Sequence, residues 1–362
     1  MIFWLSLRRL AYIIRVFVKH ALAHAAGTLV WRWPRLARRL RVERLDGPER
    51  LRMMLEDIGG TFIKFGQMLA LQPDIISLEY CNALFNLLDR VAPFGYEQVE
   101  KTFLEELGKT PSEIFDSFEH KPVATASIGQ VHVAHLGGRK LAVKVQRPNV
   151  ETDFAGDIRL MSFAIRVIER LRWRRLNWML DPMTEFVTWT REELDYRREA
   201  RYMEQLRDNA RDNPCERVPE VFWQHTTRRT LVLEFLEGVT VLDYLRALES
   251  NGDAHAVRLP GGNFEPDRAA SNIIDNFLGD AFRHGLFHAD LHPANLMFLR
   301  DGVVGYIDFG ITGALSRHAR QHLIALTLAY TRGDLEGMCA AVLKVSTLDA
   351  SSDVAAYREG LE

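Results

Sequence analysis

His288-Ala289-Asp290-Leu291-His292-Pro293-Ala294-Asn295, with Asp308-Phe309-Gly310 beginning thirteen residues after Asn295, is the stretch on which the fold turns. It offers an aspartate, an asparagine and a second aspartate at the spacing of a phosphoryl-transfer site. In such a site the first Asp orients or deprotonates the acceptor, while the Asn and the second Asp hold Mg²⁺ against nucleotide phosphates. Gly285-Leu286-Phe287 leads in as a short apolar strand, and Leu296–Leu299 and Val303–Ile307 read as two β-runs around the turn Arg300-Asp301-Gly302. A hairpin of that kind would place Asn295 and Asp308 at the mouth of one cleft. The bland alternative is a polar loop beside a hairpin, and it needs three metal-type groups and two glycines to coincide.

The 362 residues allow roughly two to three domain-sized units. An apolar fraction of 47% suffices for a buried core. The formal net charge of −2 hides an asymmetry: residues 1–50 hold eleven Arg and Lys against three acids, +8, so the remainder carries −10. A basic head on an acidic body points to an anionic contact, a membrane surface or nucleic acid. Cys81, Cys215 and Cys339 show no CxxC spacing and no even framework, so neither a metal nor a disulfide role is expected.

In residues 1–30 the apolar runs Ile2–Leu5, Leu10–Ile14 and Val16–Val18 are interrupted by Arg8, Arg9, Arg15 and Lys19. No run reaches the roughly 18–20 residues that span a bilayer, and a secretory signal would carry its charges before the apolar part. The segment reads as an amphipathic helix at a membrane interface, Trp and Phe on one side and Arg on the other. The competing reading is a helix packed on the body with solvated arginines. Residues 31–50, with Arg32, Arg35, Arg38, Arg39, Arg41 and Arg44, would add attraction to anionic lipid. No zinc-finger or other nucleic-acid motif is present, so nucleic acid is not expected as a partner.

Residues 48–90 read as helices broken at Gly59-Gly60 and at Pro73, and the helical pattern continues over 97–107 and 111–118. From about 121 short β-runs follow: Gly129–Ala134, a Gly137-Gly138 turn, and Leu141–Val145. A long helical region covers 150–210, with a break near Asp181-Pro182. Thr230–Phe235 is a strand. Residues 240–250, 266–284 and 316–345 are helical, and a polar loop covers 251–265.

Lys144 stands in the middle of the apolar strand Leu141–Val145. A buried ammonium needs an anionic partner, and nucleotide phosphates with a helix glutamate would supply one. Glu199, on the following helix, is the candidate. An edge-strand lysine that only solubilises is the alternative. Before this strand a protein kinase would carry GxGxxG, whereas this chain has Ala124-Thr125-Ala126-Ser127-Ile128-Gly129-Gln130. These seven residues are the candidate phosphate loop, and an alanine-rich turn is stiffer than a glycine-rich one. Glu234, on the strand after the helical region, is grouped with the nucleotide-binding residues. Lys64 and Gln67 sit in an otherwise apolar helix beside Gly66 with no evident core role. Glu193 and Asp195 lie six and four residues before Glu199, and Glu193 could pair with Lys64.

Together these residues resemble the UbiB/AarF (ADCK, coenzyme-Q-type) family of atypical kinase-like ATPases. Lys64-Phe65-Gly66-Gln67 matches its KxGQ motif, Ala124–His132 its AAASIGQVH loop, Glu193-Leu194-Asp195 its ExD motif, His288–Asn295 its HxDxHPGN loop and Asp308–Gly310 its DFG. The resemblance covers about residues 48–345. It implies an α+β, bilobal kinase-like fold with a helical N-terminal extension over the nucleotide cleft, where the KxGQ lysine meets the ExD acids and obstructs protein substrates. The segments drawn on that basis are 1–47 (membrane-associated), 48–120 (extension), 121–236 (N-lobe) and 237–362 (shortened C-lobe). Implied too are ATP and Mg²⁺ as cofactors, ATP hydrolysis rather than protein phosphorylation, and support of ubiquinone biosynthesis. The implied partners are anionic membrane lipids and isoprenoid quinone precursors or their biosynthetic proteins. Lys144, Glu199 and Asp290 would be catalytic, and Asn295 and Asp308 would hold the metal. Lys64, Gln67, Glu193 and Asp195 would gate.

Two positions depart from the family pattern. Thr125 replaces an Ala, and Ala294 replaces a Gly and would be strained if that position needs positive φ. Family members commonly continue further, many into transmembrane helices. The chain therefore reads as a shortened form held peripherally at the cytoplasmic face of a membrane by residues 1–50. Two other functions use similar residues: a small-molecule phosphotransferase of the aminoglycoside or choline kinase type, and an ATP-gated lipid-binding or scaffold protein with little catalysis. KxGQ and SIGQVH speak against the first, and the retained Asp290, Asn295 and Asp308 against the second.

Overall fold

The computed structural model describes residues 2–31, 46–73, 75–87, 93–126, 128–171, 179–251, 265–346, 348 and 352–360. They fall into two units: Met1–Tyr196 with Thr227–Leu231, and Arg197–Thr226 with Val232–Glu362. The Arg-rich stretch 32–44, Ser127 of the candidate phosphate loop and most of the 251–265 loop lie outside the described residues.

The first unit begins with helix α1 (Ile2–Trp31). Helix α2 (Gly47–Ile58) is started by Asp46, whose carboxylate accepts from the Glu49 N–H at 2.9 Å, and by Pro48 in its first turn. It ends where Gly59 and Gly60 take φ of 71° and 57°, a region side chains avoid. Helices α3 (Thr61–Ala70) and α4 (Leu78–Leu84) follow, so both expected breaks form. Ile13 and Val16 of α1 are buried with Ile58, against the partly buried Met54, Phe62 and Leu160, and full burial of such a side chain contributes about 1.5–3 kcal/mol. Leu10, Ile14, Phe17, Val18 and Leu22, at helical spacing, remain exposed. The expected split of α1 into one apolar and one basic side is therefore corrected. Over residues 9–23, whose side chains are described, the helix has two apolar stripes, one packed on the body, and Arg9 turns inward to Asp157, while the side chains of Phe3 and Trp4 lie outside the described residues.

Helix α5 (Tyr96–Leu107) stops at Gly108, φ 69°. The helix expected over 111–118 is corrected to one turn, α6 (Pro111–Ile114), and a strand, β1 (Ser117–Phe118). Extended backbone at Phe115 lets Phe115 and Phe118 both reach Phe103, at 6.0 Å between ring centroids. Tertiary packing thus overrides a weak helical preference. β2 (Ala124–Thr125), β3 (Gly129–Leu136) and β4 (Arg139–Gln146) form an antiparallel meander, with β1 also on β3 and the start of β6 (Thr230–Glu234) beyond β4. Helices α7 (Val150–Leu171) and α8 (Leu180–Glu193) follow. The break expected near Asp181-Pro182 falls where α8 starts. Pro182 lies in the first turn of α8, where no main-chain N–H is needed.

Helix α9 (Tyr196–Asn209), grouped with the N-lobe on the sequence, belongs to the second unit from Arg197 onward. That unit has a sheet ordered β5 (Glu216–Arg217), β10 (Val304–Tyr306), β9 (Leu296–Phe298), β7 (Val239–Thr240), and a two-stranded pair, β8 (Leu286–His288) with β11 (Thr312–Ala314). Its helices are α10 (Val241–Asn251), α11 (Pro266–Leu278), α12 (Arg317–Thr331), α13 (Leu335–Val345) and α14 (Val354–Glu359). Two expected single helices are corrected. Residues 266–284 pass from α11 into a π-helical turn, Gly279–His284, closed by Gly285 at φ 82°. Residues 316–345 break at Gly333, φ 66°, and Asp334, which caps α13 by accepting from the Gly337 N–H. Among the described residues no helix is long and apolar enough to cross a membrane.

Candidate active site

In the second unit the β9–β10 hairpin sets the geometry. Leu296 is paired with Tyr306, so Asn295 and Asp308 flank the same end of the ladder, and the Ile307 N–H donates to the Asn295 carbonyl at 3.1 Å. Asn295 Nδ2 donates to Asp290 Oδ2 at 2.7 Å and to the Asp290 carbonyl at 3.2 Å. The asparagine amide therefore orients Asp290, and its Oδ1, a hard oxygen, is the atom suited to a cation. Asp308 Oδ1 accepts from the Gly310 N–H at 2.9 Å.

His288 joins these pieces. Its Nδ1 accepts from the Asp290 N–H at 3.1 Å, so its proton is on Nε2, which donates to the Asp308 carbonyl. The ring is 3% exposed, and burial pushes its pKa below the ordinary imidazole value, keeping it neutral as both bonds require. Phe309 is buried beside His288, ring centroids 5.1 Å apart. The Phe309 N–H donates to Glu199 Oε1 at 3.4 Å, which brings Glu199 to the DFG backbone. Positive φ at non-glycine residues is confined, among the described residues, to Asn149 and Asp301, so Ala294 carries no such strain.

In the first unit Lys144 is paired with Val131 on β3 and is 8% exposed, with its Nζ 5.2 Å from the centre of the Tyr196 ring. A cation over that face replaces part of the hydration lost on burial. Gln146 Nε2 donates to the Leu194 carbonyl at 3.2 Å, tying β4 to the turn that carries Glu193 and Asp195. Lys64 Nζ is ion-paired with Glu193 Oε1, and both are partly buried. The long-range pairing expected from the sequence is thus present, while Asp195 is held in the turn by its N–H to the Glu192 carbonyl at 3.1 Å. Gln67 Nε2 donates to the Leu87 carbonyl at 3.1 Å.

Ala124 and Thr125 form β2 against β3, and the Ala126 N–H donates to the Gly129 carbonyl at 2.8 Å, closing a tight turn. Ile128 is buried. A Cβ on Gly129 would lie 2.7 Å from the Val145 carbonyl oxygen and 2.5 Å from Tyr196 Oη, so this glycine permits close strand packing. Gln130 is paired with Val145, which puts its side chain on the opposite sheet face from Lys144. Its contacts are with Phe94 and His132. Glu234 Oε1 accepts from Arg217 at 2.5 Å and Oε2 from the Glu220 N–H at 3.2 Å, so its carboxylate is engaged within the second unit.

Sequence reading gave no role to His288, inside the catalytic-loop motif, or to Tyr196, directly after the ExD motif, and it missed the buried pair Glu216 and Asp280. Among the described residues no group of three or more His, Cys, Asp or Glu gathers as for a metal. Asn295 and Asp308 fit Mg²⁺, which takes one or two protein oxygens and completes its shell with phosphate oxygens and water.

The chain matches the model of the ABC1 atypical kinase-like domain over residues 86–342, and it belongs to that family. Among curated proteins it is 35% identical to "Probable protein kinase UbiB" of Cellvibrio japonicus, covering 80% of this chain and 52% of the relative. It is 32% identical to the protein of that name in Pseudomonas aeruginosa, covering 91% and 63%. An uncharacterized Mycobacterium tuberculosis protein is 35% identical over 75% of this chain and 54% of its own length. The chain thus spans between half and two thirds of the length of these relatives. Among solved structures it is similar to Rv3197 of Mycobacterium tuberculosis in its complex with erythromycin. That match has a TM-score of 0.58 and 26% identity, and it covers 83% of this chain and 73% of the other.

Proposed function

We propose that this chain hydrolyses ATP with Mg²⁺ as an atypical kinase-like ATPase of the UbiB type, at a membrane and in support of isoprenoid quinone biosynthesis. The observation that carries the reading is the 2.7 Å contact from Asn295 to Asp290, braced through His288 to the Asp308 main chain. Asp290 orients the attacking water, and Asn295 and Asp308 hold the Mg²⁺ that neutralises phosphate charge. Lys144 and Glu199 position the phosphates. The Lys64–Glu193 pair restricts access of a protein acceptor, which favours water. The exposed apolar stripe of α1 and the basic residues of the N-terminal fifty support attachment to an anionic membrane. The quinone role is what the UbiB resemblance implies.

Phosphate release from ATP by the purified chain, with and without anionic liposomes, tests this. Asp308→Asn and Asp290→Asn should each lower release by about 10²-fold or more. No ATP-dependent release, or release unchanged in Asp308→Asn, would overturn it. Quinone profiling of a deletion strain tests the biosynthetic role.

A further inference from the structure

Helix α7 carries a surface that the candidate active site does not use. Phe154, Ile158, Met161 and Ile168 are buried and turn one face of it to the core. On the opposite face stand Arg159, Phe163, Arg166 and Arg170, at successive steps of four, three and four residues, all of them exposed. Phe163 is 61% exposed. Glu151, at the head of the helix, is ion-paired with Arg228, whereas none of the three arginines has an ion-pair partner among the described residues. Glu169 is exposed too, but at about 100° per residue it is turned roughly 60–120° from the four. The face thus gathers three uncompensated guanidiniums around one aromatic ring.

This face borders α1. Asp157 holds Arg9, and Leu160, one residue after Arg159 and three before Phe163, packs against the cluster of Ile13, Val16 and Ile58. Beyond that contact α1 leaves Leu10, Ile14 and Phe17 uncovered. Neighbouring helices of one unit therefore turn outward an apolar stripe and a basic one. Water solvates the guanidiniums but not the rings and aliphatic chains. A nucleic acid would match the arginines and Phe163 and leave the apolar stripe of α1 wet. An anionic bilayer matches both: phosphate and carboxylate oxygens accept from the guanidiniums, and the headgroup–acyl boundary takes up the rings and aliphatic chains.

We propose that the Arg159–Phe163–Arg166–Arg170 face of α7 binds the anionic headgroups of a bilayer, as a second contact beside the apolar stripe of α1. The proposal rests on the membrane attachment argued above and is independent of ATP hydrolysis. The test uses the full chain, the triple variant Arg159→Gln/Arg166→Gln/Arg170→Gln and the single variant Phe163→Gln. Co-sedimentation is measured with vesicles of phosphatidylglycerol mixed into phosphatidylcholine and with phosphatidylcholine alone. At low ionic strength the triple variant should bind anionic vesicles about 10²-fold more weakly, about fivefold for each arginine. Phe163→Gln should weaken binding several-fold. Near about 1 M salt the gap between wild type and triple variant should close. Thermal midpoints should stay near that of the wild type, since every changed side chain is exposed. If the triple variant fails to fold, Arg166→Gln alone carries the test, with a fivefold loss expected of it. Anionic-vesicle binding that the arginine changes leave intact, while the wild type binds, overturns the proposal and leaves the membrane attachment standing. A wild-type chain that binds neither kind of vesicle removes both. A variant that keeps vesicle binding but loses binding to single-stranded RNA makes the face a nucleic-acid surface, which overturns the proposal as well.

Discussion

Glu216 and Asp280, 9% and 6% exposed, are hydrogen-bonded carboxyls beside Asn213, Asn276 and Tyr306. Burial is the largest cause raising each, and Asp280 is raised further by Glu216, with Glu216 pushed up to about 7 and Asp280 to about 8, so both carboxyls keep their protons well above the ordinary carboxylate range. Folded values above the unfolded ones mean that the stabilisation from these two protonated carboxyls is complete below about pH 4. It is lost as pH rises through 7 to 8. Glu216→Gln keeps a hydrogen-bonding partner for Asp280 and removes one of the two charges. Denaturant midpoints across this range should fall less steeply with pH in the variant, which should exceed the wild type by about 1–2 kcal/mol at the alkaline end. Parallel curves would refute the raised titration of this pair. Nothing in the sequence pairs these two acids, because their meeting depends on β5 lying against β10 and on the π-helical turn that starts beside Asp280. Asp290, Asn295 and Asp308 were legible because one short hairpin, its register set by Arg300-Asp301-Gly302, determines their spacing.

Among the elements, the β3–β4 meander shows both the reach of sequence reading and where it stops. Its strands and the Gly137-Gly138 turn follow from alternation and glycine placement. Which side chain faces which side depends on register, and register places Gln130 opposite the face of Lys144. Gly129 likewise reads as a phosphate-loop glycine, whereas its missing Cβ admits the Val145 main chain and the Tyr196 hydroxyl. Gly129→Ala should therefore cost about 1–3 kcal/mol of folding stability, since backbone has to move. Ala124→Gly, on an exposed strand residue, should cost less than about 1 kcal/mol. Urea denaturation of both variants checks this, and equal losses would refute the packing role of Gly129.

For the whole molecule, family membership rests on a domain match running from residue 86 to 342, and α1 lies before it. The amphipathic character of α1 was legible from its spacing. The fact that one apolar stripe is covered by α2 and α7 was not, because those partners come from distant sequence. Vesicles of anionic lipid should bind the chain through the uncovered stripe. Ile14→Glu and Phe17→Glu, at positions 51% and 49% exposed, should weaken co-sedimentation several-fold while leaving the thermal midpoint close to that of the wild type. Binding unaffected by both changes would exclude this stripe as the contact.

Arg9 clasps Asp157 through two bonds of 2.7 and 3.0 Å and also donates to the carbonyls of Ile58 and Gly59 at the end of α2. Asp157 is 3% exposed. Deleting the first helix to improve expression or to abolish lipid binding would take the guanidinium from that carboxylate and uncap α2. A trimmed protein that loses activity would then report damage to its interior, and it could not be taken as a measure of what the membrane contributes.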